Sequence, residues 1–193
     1  MTANSGNNIS LIIAIFTALF VCNDFSQGTI KNVISRGYTR TQVFASKLIA
    51  VLCAVLIMFI MSFLTGFLCG SIIWKTAGSF ESSYISVIAA QIFAVAAMGI
   101  MFFAASALVP QKGAAIGIGI GVSIGVPILF SLLDLVIKSK KFTLSSYWID
   151  SALSNVSALK VSSSVMTHSV ICAAVYFVLF GFLSWLFMQK KEV

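Results

Sequence analysis

Residues 48–73 read LIAVLCAVLIMFIMSFLTGFLCGSII and contain no charged side chain. At about 1.5 Å rise per residue, about 20 apolar residues cross the roughly 30 Å hydrocarbon layer of a bilayer as a helix. Within that layer only the chain itself satisfies backbone N–H and C=O groups, so a run of this kind is helical and lipid is its solvent. Outward from it, further apolar runs occupy residues 9–22, 84–109, 113–137 and 167–188. The sequence therefore predicts an all-α integral membrane protein: five transmembrane helices in a single membrane domain over residues 1–193.

Composition agrees. Of 193 residues, 60% are hydrophobic and only 9% charged, which leaves too little polar chain for a separate soluble catalytic domain. Twelve Lys and Arg against five Asp and Glu give a net charge of +7, concentrated in the joints between the runs. Such a balance suits anionic lipid headgroups rather than nucleic acid. Cys22, Cys53, Cys69 and Cys172 all lie in apolar runs with no CxxC or metal-ligand spacing, and read as small buried hydrophobes. The first run has no basic residues ahead of it, as a signal peptide would, and residues 19–22, LFVC, lack the small residues expected before a lipidated cysteine. It reads as a short membrane helix extended into the interface by Phe25. Trp74, Tyr84, Tyr147, Trp148 and Trp185 fall near the expected interfaces.

Five crossings put the termini on opposite sides. Lys31, Arg36, Arg40, Lys47, Lys112, Lys190 and Lys191 share one side; Lys75, Lys138, Lys140, Lys141 and Lys160 share the other. Because Lys and Arg are retained in the cytoplasm, the amino terminus is expected outside and the carboxyl terminus inside.

The most informative polar stretch is residues 23–47, NDFSQGTIKNVISRGYTRTQVFASK. Asp24 and Gln27 have capping-box spacing, and Ile30, Val33 and Ile34 share a helical face from which Lys31, Asn32 and Ser35 point away. Gly37 suits a helix exit, and Thr39 with Gln42 marks a second helix start that runs through Arg40, Phe44 and Lys47 into the second crossing. The product is a cytoplasmic interfacial elbow. On its own terms it is either a lipid anchor or a lever on which a soluble partner pushes.

This stretch resembles the signature joint of ABC transporter permeases of the type 2 export class, the matching positions being Asp24, Phe25, Gly28, Thr29, Lys31, Ser35, Arg36, Arg40 and Lys47. In that family an acidic and an aromatic residue precede Gly-Thr, a Lys follows, and an Arg-containing turn leads to a Lys at the next helix. The order of the remaining helices and joints also agrees. The resemblance implies that the elbow contacts a separate ATPase subunit, on which ATP and Mg are bound, with no cofactor in this chain. It implies a homodimer or a homologous permease partner, with export of a peptide, drug or lipid-like substrate and a fit to antibiotic resistance. Arg36 and Arg40 are then expected to orient the joint, and Phe25 and Ile34 to supply apolar docking contacts. The family normally begins with a cytoplasmic segment and a first crossing absent ahead of Met1, so either an amino-terminally shortened member or one that has lost the family's first helix is expected. The competing class is a membrane scaffold that transports nothing and uses the elbow as an anchor.

The fourth run carries Gly113, Gly117, Gly121 and Gly125 on one helical face, a repeated GxxxG, with Gly119 on another. Glycine lets a second helix approach closely, so dispersion between backbones replaces the hydrophobic drive that lipid lacks. The economical reading is packing within the chain; the functional one is a sliding or dimer-facing surface. Pro127, in the same run, favours a kink. Asp134 is expected to pair with Lys138 at the outer end, and Gln91 and Ser106 to hydrogen-bond between helices. Trp148, Ile149, Ala152, Leu153, Val156 and Leu159 recur at helical spacing, predicting an amphipathic outer helix on the headgroups. There is no Walker A loop, HExxH or pair of acids within a membrane run, and lone His168 reads as structural, so the chain is not expected to be an enzyme.

Overall fold

The computed structural model describes residues 5–26, 33, 35–74, 83–109, 111–137, 144–156 and 163–190. Among these the regular structure is all helical: α1 (Ser5–Ser26), α2 (Arg40–Trp74), α3 (Ser83–Leu108), α4 (Lys112–Ile137), a 3-10 turn at Leu144–Tyr147, α5 (Ile149–Val156) and α6 (Ser163–Lys190). Four of them, α2, α3, α4 and α6, are long and apolar enough to cross a membrane. The apolar part of α1, Ile9–Asn23, falls short of the 18-residue length that marks the other four.

The bundle is built around α3. Residues of every face of its middle are buried, among them Ala94, Val95, Ala97, Met98, Phe102 and Phe103. A helix apolar all round and buried all round is one that neighbours enclose. α6, α1, α2, α5 and α4 each contact it. Small residues set the closest approaches: a Cβ on Gly99 of α3 would lie 3.3 Å from Val55 Cγ2 of α2. Elsewhere aromatic rings fill the seams, with Phe93 stacked on Phe177 of α6 at 5.8 Å and Phe44 of α2 edge-on to Phe103 at 5.6 Å.

On the other spans one stripe is inside and the rest is apolar and exposed. Val51, Val55 and Phe59 of α2 face α3, whereas Ile57, Ile60, Met61, Phe63, Leu64 and Leu68 are open. On α6 the exposed residues Ile171, Val175, Val178 and Phe182 recur at helical spacing. Surface of this kind and extent belongs in hydrocarbon rather than water.

Several sequence expectations need correction. The GxxxG face of α4 does not pack against the other described residues. Among the described residues nothing lies within 4 Å of a Cβ placed on Gly113, Gly117, Gly121 or Gly125. The intramolecular contact is made by Gly119, whose Cβ would come 3.1 Å from Ala14 Cβ of α1. Of the cysteines, Cys22 and Cys172 are buried but Cys53 and Cys69 are exposed, as a thiol facing lipid tolerates. Ser106 does not bridge helices through its hydroxyl, which donates to Phe102 O one turn back in α3 at 2.8 Å. Trp148 is buried within the bundle.

The contrast between the glycines gives a test. Gly119→Leu would overpack the α1–α4 seam and should destabilise the detergent-solubilised monomer by about 1–3 kcal/mol. Gly121→Leu, with open space around it, should leave thermal unfolding within about 0.5 kcal/mol of the native chain. Equal effects of the two would contradict the packing described.

Candidate functional site

The elbow and its foundations form the candidate site. Its turn is built locally. Arg36 N–H donates to Val33 O at 3.2 Å, and Gly37 takes φ +90°, a left-handed conformation that a Cβ disfavours. α2 then opens on a reciprocal capping box: Gln42 N–H donates to Thr39 Oγ1 at 3.3 Å, and Thr39 N–H to Gln42 Oε1 at 3.0 Å. Two amides with no partner inside the helix are thereby satisfied. The glycine break and the Thr39 cap are as the spacing of these residues predicts.

Beneath the turn, the first α2 residues are clamped to the bundle. Val43 and Phe44 are buried, the latter against Phe103 of α3. Lys47 Nζ stands 5.1 Å from the centre of the Phe20 ring of α1, a cation–π contact joining α2 to α1. Next to it, the end of α1 is tied to the α3–α4 joint. Lys112 Nζ donates to Asn23 Oδ1 at 2.7 Å, and Cys22 Sγ approaches Val109 O at 3.3 Å and Ser106 O at 3.7 Å. Three connections therefore converge on one end of the bundle, and on its outer edge Arg36, Tyr38, Thr39 and Arg40 are exposed.

Of the residues the sequence singles out, Arg36 lies in the turn, Arg40 begins α2 and Lys47 is half-buried on the α1 seam. Asp24 and Phe25 are helical residues at the end of α1, so Asp24 does not cap a separate elbow helix: the helix continues through it to Ser26. Gly28, Thr29, Lys31 and Ile34 lie outside the described residues. Asn23, Cys22 and Phe20 were not legible as partners. Each sits in or at the edge of an apolar run, and only the tertiary arrangement brings Lys112 and Lys47 to them.

At the opposite end, α5 is wedged between helices rather than laid on a surface. Ile149, Ala152, Leu153 and Val156 are buried, and α5 touches α6, α3 and α1. Trp148 sits edge-on to both Phe130 of α4 and Tyr176 of α6, at 6.0 and 6.2 Å. Its Nε1–H donates to Asp150 Oδ2 at 2.9 Å. Asp150 is only 4% exposed. Burial pushes its carboxyl up to about 6, against the pull of the Trp148 bond and of the nearby Ser10 hydroxyl. Asp134, expected to serve Lys138, accepts a bond from Ser145 N–H at 3.0 Å and so holds the 3-10 turn; Lys138 is outside the described residues. His168 packs edge-on to Tyr147 at 4.7 Å, and its Nδ1 lies 3.9 Å from Cys172 Sγ. Among the described residues no three His, Cys, Asp or Glu side chains are grouped so as to hold a metal.

A helical bundle with four membrane-length helices and a largely apolar exterior defines an all-α membrane protein. The chain belongs to a protein family of unknown function, DUF2705, whose profile matches residues 2–193. No curated protein matches it.

The turn offers a direct test. Gly37→Val places a β-branched residue at φ +90° and should cost about 1–2 kcal/mol there. Trypsin cleavage after Arg36 and Arg40 should then accelerate about tenfold, the equivalent of about 1.4 kcal/mol. Unchanged cleavage would mean that the turn is not held in this conformation.

Proposed function

We propose that the chain is the membrane-spanning permease subunit of an ATP-driven exporter of the ABC type 2 class, coupling a separate ATPase to export of a peptide, drug or lipid-like substrate. The observation that carries the reading is mechanical. An exposed basic turn, residues 36–40, sits on a base fixed to α3 by Phe44–Phe103 and to α1 by Lys47–Phe20, and α1 is tied in turn to α4 by Lys112–Asn23. A push delivered at that turn is resisted by no loose joint and so passes to α1, α3 and α4. A lipid anchor needs the exposed cations but has no use for such bracing.

In this reading α1 makes a fifth crossing, the elbow faces the cytoplasm, the amino terminus is outside and the carboxyl terminus inside. ATP and Mg act on the partner ATPase. The open Gly113, Gly117, Gly121 and Gly125 face of α4 suits close approach of a second permease chain, either a copy or a homologue. Pro127 lies on the same helix and gives it a point of bending during the cycle. Antibiotic resistance is the role that an exporter of this size fits.

The test is purification of the full chain from its native membranes. A stoichiometric partner with ATPase activity is expected. Arg36→Glu or Phe25→Ala should leave that ATPase active while export falls by about one to two orders of magnitude, as loss of about 1–3 kcal/mol of coupling predicts. An isolated chain with no nucleotide-hydrolysing partner would point to a non-transporting scaffold.

A further inference from the structure

The opposite end of the bundle holds an arrangement that the exporter reading does not use. Asp150 and Ser10 are buried, 4% and 0% exposed, and come from two elements that pack together, α5 and α1. Asp150 Oδ2 takes the Trp148 indole bond. Among the described residues its other oxygen, Oδ1, has no hydrogen-bond partner, and neither has Ser10 Oγ. The serine hydroxyl is close enough to favour the charged carboxylate, but the pair does not reach hydrogen-bond geometry. Two adjacent buried oxygens without a shared proton cost on the order of 1–3 kcal/mol each.

Among the described residues no countercharge relieves this. The titratable groups toward this end of the elements packed around Asp150 are Tyr176, Cys172 and His168 of α6, Tyr147 of the 3-10 turn, and Asp134 of α4, which is engaged with Ser145 N–H; Lys190 of α6 and Lys112 of α4 stand at the far ends of their helices. α3 has none between Ile85 and Leu108, and those of α1 stand at its far end. Among the described residues only Trp148 and Ser10 act on the carboxyl besides burial itself. An ionised Asp150 in this place is thus a buried charge favoured only by one N–H donor and the nearby Ser10 hydroxyl.

We propose that Asp150 is a proton-binding latch: protonated, it gives Ser10 Oγ a donor and holds α5 in the bundle, and loss of that proton to solvent loosens α5. The eight residues of α5 are too few to hold a helix by themselves, so their order depends on docking. The latch therefore acts where docking is decided. Nothing in it requires the elbow or an ATPase, and it stands or falls separately from the exporter reading.

The sign follows from linkage. Docking raises the Asp150 carboxyl from its ordinary 3.8 to about 6, so the docked state binds the proton more tightly than the released one. Docking is favoured at low pH, weakens as pH rises between those values, and changes no further above them. The expected loss is about a hundredfold in the docking equilibrium, about tenfold for each pH unit that separates the two values.

The experiment is amide hydrogen exchange of α5 in the full chain reconstituted in lipid nanodiscs, corrected for the intrinsic pH dependence of exchange. Protection of residues 149–156 should fall about a hundredfold between about pH 4 and about pH 6.5 and then level off. In Asp150→Asn, which cannot ionise, it should be flat. In Trp148→Phe, which removes the donor that favours the charged form, the fall should extend to higher pH. Protection independent of pH in the native chain, or a fall retained in Asp150→Asn, would overturn the latch. Should Asp150→Asn fail to fold, a fall unmoved in Trp148→Phe would overturn it equally.

Discussion

The structure depends on how closely other helices approach α3. In lipid, apolar side chains gain nothing by leaving the solvent, so association rests on dispersion and on the few polar contacts a helix can make. Ala90, Ala94, Ala97, Ala104 and Ala107 keep the α3 surface low, and Gly99 lets Val55 of α2 within van der Waals range of its backbone. Gly119 does the same for Ala14 across the α1–α4 seam. With these approaches made, the long aromatic side chains have defined seams to fill.

Polar chemistry is sorted to the two ends. At one, Asn23, Cys22, Lys47 and Lys112 tie the ends of α1, α2, α3 and α4 together under the exposed turn. At the other, Asp134, Trp148 and Asp150 fold the α4–α6 connection back into the bundle. Between the ends, buried hydroxyls such as Thr17 and Ser123 return their hydrogens to their own helices and ask nothing of a neighbour. A bundle tied at its ends and smooth in its middle moves as braced segments, which is the mechanical basis of the proposed lever.

Much of this was legible in the sequence, and the limits have physical causes. Run length marked the four membrane-length helices, because hydrocarbon leaves the backbone no alternative to a helix. Gly37 and the Thr39–Gln42 pair were readable because turns and caps are determined within a few residues. Long-range partners were not: Lys112 with Asn23 and Lys47 with Phe20 depend on which helices neighbour which. The glycines of α4 misled for the same reason. Spacing identified two faces but not which one α1 would occupy, and the lone Gly119 proved to be the contact. Trp148 looked interfacial because an indole before a polar helix usually is; here Asp150 gives its N–H a buried partner.

The central claim is that the braced turn around Gly37 lies on the cytoplasmic side, where a soluble engine reaches it. Replacing Tyr38 by Cys in a chain with its other cysteines removed, and labelling with an impermeant thiol reagent, tests it most directly. The account predicts labelling in inside-out vesicles and none in intact cells. Labelling of intact cells at that position would contradict it.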